Sequence, residues 1–287
     1  MLKFTQDINR QIADLSHRIE ILPTDYASLS DEHLMQLSAF YVSLKTGLGS
    51  FSEVYQEIQT TGVKPFRMIY AELVRRILDN NNQHKAALVH ALYGQFAYTY
   101  YHAYGKYGDL EWIGNLIFDT IDTRIASSMH EIAVLDLILD ACGLLEDFEP
   151  AYQAYIENAL AQWEMEMEKD AWLSLPINEV VHRIRIMTNY NDSLIANVTT
   201  PAFQSEHLLE TFSSRIIAEA DASVLISYRE ALRNTYYFGT VPTKYFFELG
   251  HQAEKRPNDS LSCDLLQAML TVDWLERELV KQVRLVG

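Results

Sequence analysis

Cysteine is nearly missing from this chain: only Cys142 and Cys263 occur in 287 residues, too few for a disulfide framework, and each sits in an apolar pattern of helical period. Both are read as reduced thiols. No run of uncharged apolar residues approaches the roughly 18 that mark a helix long enough to cross a bilayer, so a membrane span is not expected. Lys3, Asp7 and Arg10 break up the N-terminal residues before an apolar segment of signal-peptide length can form. The expected location is therefore cytoplasmic, and the sequons at Asn191 and Asn197 carry no weight there. Positive charge is scarce as well, with 23 lysines and arginines against 39 acidic residues and a formal net charge of -16. That field repels phosphate backbones and attracts cationic surfaces, which excludes nucleic acid as the expected partner and favours a basic polypeptide. The phosphate-binding G-x-x-x-x-G-K, the dinucleotide G-x-G-x-x-G, the nucleophile elbow G-x-S-x-G and paired C-x-x-C motifs are all missing. No cofactor and no catalytic residue is assigned.

What the chain has in quantity is apolar residues at three- and four-residue spacing, the period of an amphipathic helix. Phe66, Ile69, Tyr70, Leu73, Val74 and Ile77 form one stripe behind Pro65, a residue that loses no hydrogen bond in a first helical turn. Tyr152, Tyr155, Ile156, Ala159, Leu160, Trp163 and Met167 repeat the pattern behind Pro150. Leu209, Phe212, Ile216, Ala220, Val224, Tyr228, Leu232 and Tyr236 sustain it over 208–236, which is read as one long helix. Further helices are expected over 4–20, 31–45, 83–104, 110–123, 176–188, 242–254 and 260–284. Ser50-x-x-Glu53 and Ser128-x-x-Glu131 read as capping boxes, in which a hydroxyl and a carboxylate satisfy orphan backbone N–H groups. The aromatic run 96–107 would also suit a strand, but Ala86 to Leu92 lead into it without a breaker and it is kept helical. The expected fold is all-α: antiparallel helical hairpins stacked as a repeat-like array or a large helical bundle. Polar residues replace core formers over 188–203, giving a hairpin region 1–190 and a C-terminal helical region 191–287, or one continuous domain.

Self-comparison gives one nontrivial result. Ala103–Glu111 aligns with Ala141–Glu149 at an offset of 38, with alanine, glycine, aspartate and glutamate shared, and Leu48–Gln56 matches Leu145–Gln153 at leucine, phenylalanine, tyrosine and glutamine. Each segment reads as a helix–turn–helix in which a glycine ends one helix and an acidic residue opens the next. These turns resemble those of tetratricopeptide-like helical-hairpin repeats, over segments 88–122 and 126–160. The spacing exceeds that family's 34 residues, and nothing beyond 190 joins the pattern. The resemblance implies a scaffold whose concave surface binds a peptide or protein segment. Tyrosines suit such a surface, offering apolar area and a hydroxyl at little entropic cost. Tyr93, Tyr100, Tyr104 and Tyr107 share one helical stripe, whereas Tyr98 and Tyr101 lie off it and are the surface candidates. Glu164 and Glu168, within the acidic stretch 146–170, are the matching candidates for contact with a basic partner.

Two patterns admit a different chemistry. Glu179-x-x-His182 puts a carboxylate and an imidazole one turn apart, the spacing of a helix-borne metal ligand pair in carboxylate bundles. Those bundles need a second such pair, and Asp14-x-x-His17 is the nearest relative. Asp119-x-x-Asp122 and Asp136-x-x-x-Asp140 place paired acids on helix faces, as helical prenyl-transfer enzymes do to hold Mg²⁺ around a diphosphate, but only Arg124 lies near them. The leading expectation is an α-helical interaction or adaptor module for a basic or amphipathic polypeptide. A helical metal-dependent enzyme is the alternative. A homo-oligomerising helical domain, which satisfies an apolar patch by self-association, is the third class.

Overall fold

In the computed structural model, helix is the only regular secondary structure among the described residues, and the protein is all-α. Those residues are 5–59, 171–189, 205–233, 243–255 and 259–286, with Met68, Ile69, Glu72, Leu73, Arg75, Arg76, Asp79, Leu88, Gln162, Trp163, Met165 and Glu166. The chain forms two compact units, Met1–Glu146 with Gln267–Gly287, and Asp147–Leu266. The boundary segment expected at 188–203 falls within the second unit, and 190–203 lies outside the described residues.

In the first unit, α1 (Gln6–Glu20) follows Thr5, whose hydroxyl accepts a long hydrogen bond from the Ile8 amide at 3.4 Å, and it buries Ile8, Ile12, Leu15 and Ile19 on one face. Each of those side chains contributes about 1.5–3 kcal/mol relative to exposure. The helix α2 (Asp31–Leu48) starts behind Ser30, whose Oγ accepts from the His33 amide at 3.1 Å. From Leu34 onward α2 is buried on nearly every side, with Gln36, Ser38 and Ser43 inside alongside Leu37, Phe40 and Leu44, as expected of a core helix. Gly47 allows a close approach: a Cβ there would lie 3.0 Å from both Val272 Cγ1 and Glu276 Oε2. The chain turns after Leu48 and enters α3 (Ser52–Gln59), which packs Val54 and Ile58 inward and touches α1 and α2. The helix–turn–helix expected over 48–56 is present. The capping box expected at Ser50 is not, because α3 opens at Ser52 and Ser50 belongs to the preceding turn, held by the Phe51 amide donating to the Leu48 carbonyl at 2.9 Å.

A buried arginine ties the turn ahead of α2 to the rest of the unit. Arg76 donates through Nε to Glu72 at 2.7 Å and through Nη1 to Asp31 at 2.7 Å. Its Nη2 reaches the carbonyls of Tyr26, Ala27 and Leu29. Tyr26 and Ala27 lie in the 3-10 turn Tyr26–Ser28 and Leu29 follows it; the Leu29 amide already donates to the Tyr26 carbonyl at 3.3 Å, and Arg76 adds a donor for all three carbonyls of this short turn.

The second unit contains a 3-10 turn Ala171–Ser174, α4 (Ile177–Asn189), α5 (Ser205–Glu219), α6 (Ala222–Arg233) and α7 (Thr243–Lys255). α4 packs on α5 and α6, and α7 on the same two. The single helix expected over 208–236 is two helices. α5 ends at Glu219, and Asp221 then caps α6 by accepting from the Val224 amide at 3.0 Å. An aspartate outside a helix competes for backbone N–H groups, and here that competition ends one helix and starts another. The last helix, α8 (Ser260–Val286), begins in the second unit and ends in the first. Asp259 opens it, accepting from the Leu261 amide at 2.9 Å. The repeat segments 103–111 and 141–149 lie outside the described residues.

Candidate functional site

Glu179 and His182 stand on α4, but the structure gives Glu179 a cationic neighbour. Its Oε1 accepts from Arg183 Nε at 2.8 Å. Arg183 is itself buried, donates to Glu166 Oε2 at 2.6 Å, and lies 5.1 Å from the Trp163 ring centroid and 5.3 Å from that of Trp172. The guanidinium thus has carboxylates at its edge and aromatic faces against its plane, the two kinds of partner its geometry suits. Trp172, fully buried in the 3-10 turn, donates its Nε1–H to the Trp163 carbonyl at 3.2 Å and packs on Phe212 of α5. Arg215 on α5 closes the same corner by donating to the carbonyls of Leu173 and Leu175. Hydrogen bonds from Arg183 and Gln162 hold the Glu166 carboxyl below the usual carboxylate range.

His182 is exposed. Crowding by the surrounding chain, together with Arg185 and Arg183, lowers its pKa, while Glu179 pulls the other way. A metal would have to displace the Arg183 interaction to use Glu179. No group of three or more potential metal ligands occurs among the described residues. Tyr98, Tyr101, Glu164 and Glu168, and the aspartate pairs at 119–122 and 136–140, lie outside the described residues.

Sequence reading passed over two features. In the second unit, Asp221 from the α5–α6 link, Glu254 near the end of α7, and Asp259 and Asp264 around the start of α8 act together on Cys263. Burial, and then these four carboxylates, raise the pKa of its thiol. Cys263 is half-buried and in no disulfide, and its thiol is held in the unreactive protonated form. Asp221 and Asp259 each start a helix, so the signal for their position was the capping pattern; their convergence is a tertiary fact that spacing does not carry. In the first unit, the α2–α3 turn and the last turns of α8 form a groove of about 510 Å³, with Phe51 and Val54 on one side and Leu279, Val280 and Val283 on the other. Glu53 and Arg284 also line it.

The disposition of arginines governs the surface charge. Arg76, Arg183 and Arg229 are buried. Arg10, Arg18, Arg75, Arg185 and Arg215 are paired with nearby carboxylates. No helix among the described residues is long and apolar enough to cross a membrane. The chain matches no protein-family model, and neither a curated protein nor a solved structure is similar to it.

Proposed function

We propose that this chain is an α-helical interaction module that binds a basic or amphipathic polypeptide. The observation that carries this reading is the disposition of charge. Guanidinium groups are spent inside the chain on carboxylates and carbonyls, as at Arg76, Arg183 and Arg215, while the formal net charge is -16. The acidic excess is left to the surface, where it speeds encounter with a cationic partner and selects against anionic ones. The carboxylates of Asp264, Asp259, Asp221 and Glu254 that act on Cys263 belong to this acidic excess. Tyr98, Tyr101, Glu164 and Glu168 belong to the same reading as contact residues, and the tetratricopeptide-like turns supply the scaffold it implies.

The test is affinity capture with the full chain, repeated across a salt series. The expected result is a cationic polypeptide partner whose capture falls steadily as ionic strength rises, since exposed charges lose contact beyond a Debye length of about 8 Å at physiological salt. A partner retained equally at all salt concentrations removes the electrostatic basis of the proposal.

A further inference from the structure

The groove between the α2–α3 turn and the end of α8 carries one charge from each side, Glu53 from α3 and Arg284 from α8. Buried Val54 and Leu279 form its base, and Val283 stands beside them 50% exposed. Glu53 and Arg284 make no ion pair with each other or with any other described residue. This sets Arg284 apart, because every other described arginine is engaged within the chain. A cationic partner on this groove would satisfy Glu53 and be repelled by Arg284. An anionic partner would do the reverse, and a purely apolar one would strand both.

A surface with an anion and a cation on either side of an apolar strip is self-complementary under a two-fold rotation, in which residue i meets j and j meets i. We infer that the groove is an interface between two copies of this chain, with Glu53 of each copy paired to Arg284 of the other and the Val283 side chains withdrawn from water. Both charges are then satisfied at once, which no partner of single sign achieves. An interface confined to this groove is small, so weak association, in the micromolar to millimolar range, is expected.

Sedimentation velocity at physiological salt, where the mutual repulsion of two acidic chains is screened beyond about 8 Å, tests this directly. Wild type is expected to pass from monomer to dimer across that concentration range. Each charge reversal, Glu53→Arg or Arg284→Glu, acts twice per dimer and places like charges in contact, and is expected to weaken dimerisation about tenfold or more. Mixing the two variants restores it. The arginine introduced in one chain then faces the glutamate introduced in the other, and the native Arg284 of the first faces the native Glu53 of the second. Both positions are exposed, so circular dichroism of each variant should match wild type. A wild type that stays monomeric throughout overturns the inference. So does a dimer indifferent to both reversals, or a mixture no more associated than its components.

Discussion

Replacing Arg183 by methionine probes a buried cation of the second unit that carboxylates and indole rings both engage. The substitution keeps an unbranched side chain of similar length and removes the charge. It deletes two charge-assisted hydrogen bonds, to Glu166 at 2.6 Å and Glu179 at 2.8 Å, each worth about 1.5–3 kcal/mol. It also deletes two ring contacts worth about 0.5–2 kcal/mol each. Against that sum stands the cost of burying the guanidinium, which methionine does not incur, so the net loss is about 3–5 kcal/mol. Arg183→Lys keeps the charge but cannot present the planar fork between the rings, and should lose roughly half as much. Urea unfolding followed by tryptophan fluorescence reads both variants, since Trp163 and Trp172 flank the site. A cycle with Glu166→Gln should show coupling of at least about 1 kcal/mol. If Arg183→Met falls within about 1 kcal/mol of wild type with unchanged near-ultraviolet circular dichroism, the view of Arg183 as the anchor of this corner is wrong.

Three further outcomes follow from the same physics. Arg76→Met removes the side-chain donor to the carbonyls of Tyr26, Ala27 and Leu29 and the partner of the Asp31 carboxylate, and should cost about 3–5 kcal/mol, with hydrogen exchange at the start of α2 accelerating first. Gly47→Ala improves helix propensity by about 1 kcal/mol but drives a methyl against Val272, whose overpacking costs about 1–3 kcal/mol; a net loss near 1 kcal/mol is expected in denaturant titration, and adding Val272→Ala should recover part of it. Glu72 is held below its ordinary value of 4.5 first by Arg75 and then by Arg76, against the effect of burial, and Glu166 is held below it by Arg183 and Gln162. Depressed carboxylates contribute stability that is whole above pH 4.5 and is lost as pH falls through their folded values. The stability gap between wild type and the Glu72→Gln, Glu166→Gln double variant should therefore be widest above pH 4.5 and close in more acid solution; a gap independent of pH refutes the assignment.

The helices that spacing gave most directly were those with one clean apolar face. α1 is such a case, with Ile8, Ile12, Leu15 and Ile19 buried at the intervals the sequence displays, and so is α4, which starts just after Pro176. The break between α5 and α6 was hidden because the stripe Phe212, Ile216 and Ala220 continues across it with little change of phase. After the break Tyr228 and Leu232 stay buried as a continuous stripe would have them, Leu225 and Ile226 join them, and Val224, which a continuous helix would place inside, is only half-buried. A single aspartate acting as cap decided the matter, and Asp221 looks like any surface acid until its partner, the Val224 amide, is seen. α2 shows the opposite limit, since a helix buried nearly all round has no polar face to reveal its orientation.

The candidate site was legible only as a charge sign. The pairing of Glu179 with Arg183, one turn on, was present in the sequence as an i,i+4 pair, but the His182 spacing drew the reading toward a metal. The aromatic cage around Arg183 joins residues 9 positions apart in the case of Trp163 and Trp172, linked through a carbonyl, and periodicity has no term for such contacts. The groove at Glu53 and Arg284 brings together segments more than two hundred positions apart in the chain, and only folding shows that the two charges share it.

The most direct test of the account is the affinity of the purified chain for a synthetic lysine-rich amphipathic helix and for the same peptide with glutamate in place of lysine, each measured by titration calorimetry at low and at physiological salt. The expected result is binding of the lysine peptide that weakens as salt rises, and no binding of the glutamate peptide. Equal affinity for both, or preference for the glutamate form, would contradict it.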